Sequence, residues 1–193
     1  MERKTIDLWV SIGGLIMTVV LIVAGFLLLW GWSYTHDQVR SELSAQKIFF
    51  PPANSPAIAA PEFAPMHQYA GQQLTTGPQA KVYANSFIAN HLKEVANGQT
   101  YAQVSGQLQQ DPNNAQLQKQ TQTLFQGETL RGLLLTSYGF SIFGDRAQTV
   151  AYLCYGLAAV LFVASIAGLL HARKRSAERE LVLPRVQGVP ADN

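Results

Sequence analysis

LWVSIGGLIMTVVLIVAGFLLLW, residues 8–30, is the stretch on which the fold turns, because no side chain carries a charge between Asp7 and His36. At 1.5 Å per residue, Trp9 to Trp30 would rise about 32 Å as a helix, close to the roughly 30 Å hydrocarbon thickness of a bilayer. Trp9 at one end and Trp30 and Trp32 at the other stand where interfacial aromatic anchors are expected. A second uncharged run, AQTVAYLCYGLAAVLFVASIAGLL (147–170), is closed by His171 and the cluster Arg173, Lys174, Arg175. Two runs of this length predict two transmembrane helices.

Composition agrees. Only 13% of the 193 residues are charged and 48% are hydrophobic, whereas soluble domains carry about 25% charge. A disordered chain would be less apolar. The formal net charge of +2 is too small for nucleic-acid binding without a basic cluster in a suitable place. Glu2-Arg3-Lys4 ahead of an apolar run resembles the start of a signal peptide. The run is longer than a signal-peptide core, however, and no small-x-small site follows it, so an uncleaved anchor is expected.

The basic residues set an orientation. Seven of the 14 Lys and Arg lie in the 30 residues of the two ends (Arg3, Lys4, Arg173, Lys174, Arg175, Arg179, Arg185), and seven are spread over residues 35–146. The positive-inside rule then puts both termini in the cytoplasm. The resulting layout is a cytoplasmic N-terminus (1–7), a first span (8–32), an external linker (33–75), an external helical module (76–128), an interfacial helix (129–146), a second span (147–170) and a basic cytoplasmic tail (171–193). The fold class is an all-α membrane protein of the cytoplasmic membrane, with a small extracytoplasmic helical module between two spans.

Within the linker, FFPPANSPAIAAPEFAPM (49–66) has prolines at 51, 52, 56, 61 and 65, which predicts an extended, polyproline-like spacer. Beyond it, Gly77-Pro78 and Asn97-Gly98 bracket a helix over about 78–97, with Ala80, Ala84, Phe87, Ile88, His91, Leu92 and Val95 on one face. Thr100 with Gln103 reads as a capping box for a second helix ending near Asp111-Pro112, and Asn113 with Gln116 as the start of a third. Ten glutamines between Gln99 and Gln126 leave these helices few apolar side chains. The module should therefore need a cover, either the membrane face or a protein. TLRGLLLTSYGFSIFG (129–144) has 13 uncharged residues from Gly132 to Gly144, too few to span. It is expected to lie in the outer membrane interface or to pack under the other external helices, leading into the second span, with Gly139 and Gly144 offering bends.

At these positions the chain resembles a family of two-span membrane proteins of actinobacteria. The residues concerned are Tyr69-Ala70-Gly71, Gly77-Pro78, Ala80, Tyr83-Ala84, Ile88, His91, Gly98, Thr100-Tyr101-Ala102, Leu124-Phe125, Glu128, Leu130-Arg131 and Thr136-Ser137-Tyr138. The resemblance implies the two-span architecture and no activity. Some relatives carry a ring-opening dioxygenase label, which would require two histidines and a carboxylate around iron. The four histidines are scattered: His36 beside the first span, His67 in the linker, His91 on a helix with Glu94 three residues on, and His171 after the second span. No metal site or cofactor is expected, and His91 is expected on an apolar stripe with its nitrogens satisfied locally.

Other chemistries have no signature. Cys154 is the single cysteine and falls inside the second span, so no intrachain disulfide can form. Phosphate loops, dinucleotide fingerprints and nucleophile elbows are absent from the sequence. The spans hold no charged residue of the kind that marks ion pathways. They do hold small residues at packing spacing: Ser11, Gly14, Thr18 and Gly25 in the first, and Ala164 with Gly168 in the second, expected to bring helices close. The leading expectation is a non-enzymatic scaffold or accessory subunit of a cell-envelope complex, with the bilayer and a protein or a second copy as partners and no nucleic acid. The alternative is an envelope sensor that binds a ligand around Tyr83, Phe87 and His91.

Overall fold

The computed structural model describes residues 3–182, with side chains described from 5 to 174. The expectations for Arg3, Lys4, Arg175, Arg179 and Arg185 fall outside the described side chains. The order is α1 (Arg3–Ala45), two 3₁₀ stretches (Pro56–Ile58 and Pro61–Tyr69), α2 (Gly77–Val82), a π-helical stretch (Tyr83–Ile88), α3 (Ala89–Val95), α4 (Tyr101–Gln110) and α5 (Ala115–Val182). Among the described residues there is no strand beyond an isolated bridge between Phe49 and Gln73. The chain forms two compact units, Met1–Trp30 with Ala147–Asn193, and Gly31–Arg146.

The first unit is an antiparallel pair of helical segments, and both parent helices are long and apolar enough to cross a membrane. Only 11% of each apolar window is buried, whereas a helix in a soluble core would be mostly covered. Val10, Val160 and Val163 are each 67–68% exposed. What is buried is small: Ser11, Thr18 and Gly25 on α1, and Ala151, Ala158, Ser165 and Ala172 on α5. Both sets repeat every seven residues, the period of a left-handed helix seam. Small side chains let the two backbones approach where no hydrophobic effect would drive them together in lipid.

Close approach is visible at three glycines. A Cβ on Gly14 would coincide with Ser165 Oγ, one on Gly168 with Ser11 Oγ, and one on Gly25 would lie 2.8 Å from the Tyr155 ring. Thr18 donates its hydroxyl to the Gly14 carbonyl at 2.8 Å, which satisfies it within its own helix. Ala164 is exposed, and its neighbour Ser165 occupies the seam instead, because the sevenfold repeat through Ala151 and Ala158 selects position 165. Gly14→Val is expected to destabilise the unit by about 1–3 kcal/mol through overpacking. Thermal unfolding of the full chain in mild detergent should show it, while Gly13→Val, with nothing within 4 Å of its Cβ position, should unfold close to the parent.

In the second unit the Pro-rich segment departs from expectation. It is not an extended spacer. Its two 3₁₀ stretches fold back and bury Ile58, Phe63 and Met66, and its ends are clamped by Phe50 N–H to the Gln72 carbonyl (2.9 Å) and Leu74 N–H to the Ile48 carbonyl (2.9 Å). The proline φ near −65° suits a 3₁₀ turn as well as a polyproline helix, so apolar residues between the prolines decide between them. Residues 33–45, also expected in the linker, are helical and continue α1, which ends where Lys47 adopts a left-handed φ of 52°. Gln73 Nε2 then caps the Ser44 carbonyl at 2.8 Å.

These segments supply the cover that the glutamine-rich helices lack. The core contains Val39 and Leu43 from α1, Phe50, Ile58, Phe63, Met66 and Leu74 from the returning segment, and Val104, Leu124 and Leu134 from α4 and α5. Against them lie Ala80, Ala84, Ile88, Leu92 and Ala96, spaced strictly by four. In a regular α-helix each step of four drifts about 40° around the axis. The π-helical Tyr83–Ile88, with its wider turn, offsets that drift and keeps the stripe aimed at the core. The helix starts at a capping box, Thr76 with Gln79, as well as at the expected Pro78.

Its stop uses two left-handed residues, Asn97 (φ 51°) and Gly98 (φ 78°). Gly98 N–H bonds the Lys93 carbonyl at 2.8 Å. Gly98→Val should destabilise the unit by about 1 kcal/mol or more, since a β-branched residue resists positive φ. Urea unfolding against Gly98→Asn, which tolerates that conformation, isolates the backbone effect.

Helix α4 starts at the expected Thr100–Gln103 capping box. For α5 the cap is Asn114 rather than Asn113: its Oδ1 accepts from the Gln116 and Leu117 amides, both at 3.1 Å. Helix α5 then runs unbroken to Val182, so the third external helix, the 129–146 segment and the second apolar run are one element. Neither Gly139 nor Gly144 interrupts it. Along 129–146, Leu134 and Ser141 are buried while Leu133, Phe140 and Phe143 are exposed, so the helix turns one apolar face inward and one outward.

Candidate functional site

The sequence directed attention to Tyr83, Phe87 and His91. The structure brings the first two together and leaves out the third. Tyr83 and Phe87 stack at 5.0 Å between centroids. Phe50 meets Tyr83 edge-on at 5.3 Å and Phe63 meets Phe87 at 6.3 Å. The Pro-rich segment therefore packs on this face, and aromatic pairing in these geometries adds about 0.5–1.5 kcal/mol per pair beyond area burial. His91 is exposed, not on the buried stripe, because the π-helical phase keeps Ile88, Leu92 and Ala96 on the core side and turns His91 away from it.

Burial pushes the Tyr83 phenol above its ordinary pKa of 10.0. A raised pKa means the folded chain holds this proton longer than the unfolded chain does. The unit should keep its stability below pH 10 and lose it as pH rises from there through the folded-state value. Alkaline unfolding followed by circular dichroism, alongside tyrosinate absorbance, would show the loss, and Tyr83→Phe should reduce its slope.

A different set of residues encloses space. A cavity of about 450 Å³ in the second unit is lined by His36, Asp37 and Arg40 of α1, Tyr69, Thr75, Thr76, Gly77 and Pro78 of the returning segment and the start of α2, and Ser141 and Asp145 of α5. That volume lies within the roughly 300–1,000 Å³ typical of small-molecule sites.

His36 is held from two sides. Its Nδ1 is 3.0 Å from the Trp32 carbonyl and its Nε2 is 3.2 Å from Asp145 Oδ1. The ring is thus fixed between a backbone carbonyl on its own helix and a carboxylate on α5. The ring also rests on α5 where Gly144 stands. A Cβ there would be 2.9 Å from Nδ1, so this glycine, expected as a bend, instead makes a seat for the imidazole. Ser141 is engaged as well, donating to the Tyr138 carbonyl at 2.8 Å.

The opposite wall is fixed by Gln79, which is 7% exposed. Its Oε1 accepts from the Thr75 and Thr76 amides at 2.8 and 3.0 Å and from their hydroxyls at 3.3 and 3.2 Å, and its Nε2 donates to Gln72 Oε1 at 3.2 Å. Gly77 lets α2 lie against α5: a Cβ there would coincide with Ser141 Oγ and stand 3.3 Å from the Tyr138 Cα. The cavity therefore has rigid hydroxyl-bearing walls and a charged rim.

Sequence reasoning passed over this site. His36 and Asp145 were visible as polar residues flanking the two apolar runs, and a two-span hairpin should bring such flanks together. That was the available signal. Among the described residues no three His, Cys, Asp or Glu cluster as metal ligands would. No family model, curated protein or solved structure matches the chain.

Proposed function

We propose that the chain is a two-span protein of the cytoplasmic membrane that holds its helical unit on the extracytoplasmic side as a small-ligand binding module, without enzymatic activity. The cavity lined by Thr75 and Thr76, with its His36–Asp145 pair, is the observation that carries this reading. It replaces Tyr83, Phe87 and His91 as the binding locus, since the chain's own prolines and phenylalanines already cover the first two. The two apolar helices support the membrane placement, and the bias of Lys and Arg toward the chain ends supports the orientation. Labelling of Asn90→Cys in intact cells tests the layout: reaction with a membrane-impermeant maleimide is expected, and protection until lysis would overturn it. Arg40→Gln tests the cavity, and it should abolish any ligand-induced rise in melting temperature while leaving the unliganded melting temperature unchanged.

A second reading, an accessory subunit or scaffold of an envelope complex, keeps one specific support. Tyr101 and Phe125 stack at 6.0 Å yet are 40% and 58% exposed, on a surface rich in amides and poor in charge. Affinity purification with Tyr101→Ser and Phe125→Ser variants would detect loss of a partner there. The Pro-rich segment itself covers the helical module, so this reading rests on that exposed aromatic pair.

A further inference from the structure

We infer that the cavity beside His36 receives a zwitterion bearing a phosphate and a primary ammonium, the phosphoethanolamine headgroup of a membrane phospholipid. The inference rests on reading the cavity as a ligand site in a membrane protein.

The charge pattern leads to it. Asp145 is engaged by His36, whose Nε2 lies 3.2 Å from its Oδ1. The charged groups left on the rim are Arg40 and Asp37, one cation and one anion. Arg40 has no hydrogen bond or ion pair among the described residues, and Asp37 has only a long contact, 3.4 Å, from the Ser33 hydroxyl. They stand three residues apart on α1, which places their side chains as neighbours on the same helix face about 5–6 Å apart at Cβ. They do not pair with each other. A ligand that satisfies both must carry both signs at short separation, as a phosphate and an amine joined by an ethylene link do. Arg40 supplies the planar donors that suit phosphate oxygens.

The walls discriminate further. Ser141 gives its proton to the Tyr138 carbonyl, and Thr75 and Thr76 give theirs to Gln79 Oε1. With those protons committed, the three oxygens can offer only lone pairs to an occupant, and that of Thr76 already accepts the Gln79 amide at 3.4 Å. A primary ammonium has three N–H groups to offer such acceptors and Asp37, whereas a quaternary ammonium has none, which favours an ethanolamine over a choline headgroup. Position favours a lipid over a soluble source. Asp37 and Arg40 follow Trp30 and Trp32 within about three turns on one continuous helix, and tryptophans at the end of an apolar run sit at headgroup depth.

The test uses the full chain in mild detergent, with equimolar phosphatidylethanolamine, phosphatidylcholine and phosphatidylglycerol and retained lipid read by native mass spectrometry. Phosphatidylethanolamine adducts are expected to exceed each of the others at least fivefold. Asp37→Asn should erase the preference over phosphatidylcholine, and Arg40→Gln should lower phosphatidylethanolamine retention several-fold. Both variants should retain the parent's circular dichroism and melting temperature, because neither side chain is buried or paired with the fold. The exposed Glu62→Gln should behave as the parent. Equal retention of the three lipids, or a preference that survives in both cavity variants, would overturn the inference. Free phosphoethanolamine forms a separate arm. If it raises the melting temperature in an Arg40-dependent way while the lipids show no selectivity, the lipid source falls and the cavity stands as a ligand site. If neither binds, both fall.

Discussion

Met66→Ala is expected to destabilise the helical unit by about 2–5 kcal/mol, the range for truncating a fully buried large apolar side chain. Met66 is 0% exposed and sits in the second 3₁₀ stretch, one residue after Pro65. The size of the effect separates two descriptions of residues 49–66. In a solvated spacer the substitution would stay within about 0.5 kcal/mol, as surface changes do. Here the side chain belongs to the same core as Leu43, Ile58 and Leu74, and the cavity left behind cannot collapse without moving the prolines around it. Denaturant unfolding followed by far-ultraviolet circular dichroism gives the difference, with the exposed Glu62→Ala in the same stretch as a control. A result under 0.5 kcal/mol for Met66→Ala would return the segment to a spacer.

Gly77→Ala should cost about 1–3 kcal/mol or somewhat more, by overpacking at a site where backbone meets backbone. The added Cβ would occupy the position of Ser141 Oγ and would also crowd the Tyr138 Cα at 3.3 Å. Rotation of the serine cannot relieve the second contact, so α2 must lift away from α5 and the cavity between them should change shape. Ser141→Gly in the same chain should recover most of the loss and not all of it. Gly106→Ala is the counterpart. Nothing lies within 4 Å of its Cβ position and it is inside α4, so a gain of about 0.5–1 kcal/mol is expected from the lower helix cost of alanine. Opposite signs for two glycine-to-alanine changes in one unit would separate close packing from intrinsic propensity.

Several elements were legible because their causes are local. The uncharged runs needed only a count of residues, and the Thr100–Gln103 box needed only a spacing of three. Asn114 was missed by one position because Asn113 satisfies the same pattern, and only the direction of the side chain decides which amides it reaches. The π-helical turn left a trace in the sequence, the strict spacing of four through Ala80, Ala84, Ile88, Leu92 and Ala96. Ordinary α-helical spacing over the same stretch adds Phe87, His91 and Val95 to the face instead of Ala96, and so puts His91 on the apolar side.

Local chemistry therefore determined that this chain is helical, where its apolar runs lie, and how α2 and α4 begin, since these follow from hydrogen bonds and hydropathy within a few residues. Packing decided the remainder. Prolines permit both an extended and a 3₁₀ path, and the choice depends on whether Ile58, Phe63 and Met66 find an apolar surface elsewhere in the chain. A glycine in a helix can bend it or admit a neighbour, and Gly144 does the latter because an imidazole from α1 comes to rest on it. The cavity exists only where α1, the returning segment and α5 converge, and its charges become a pattern only once Asp145, distant in the chain, has come within 3.2 Å of His36.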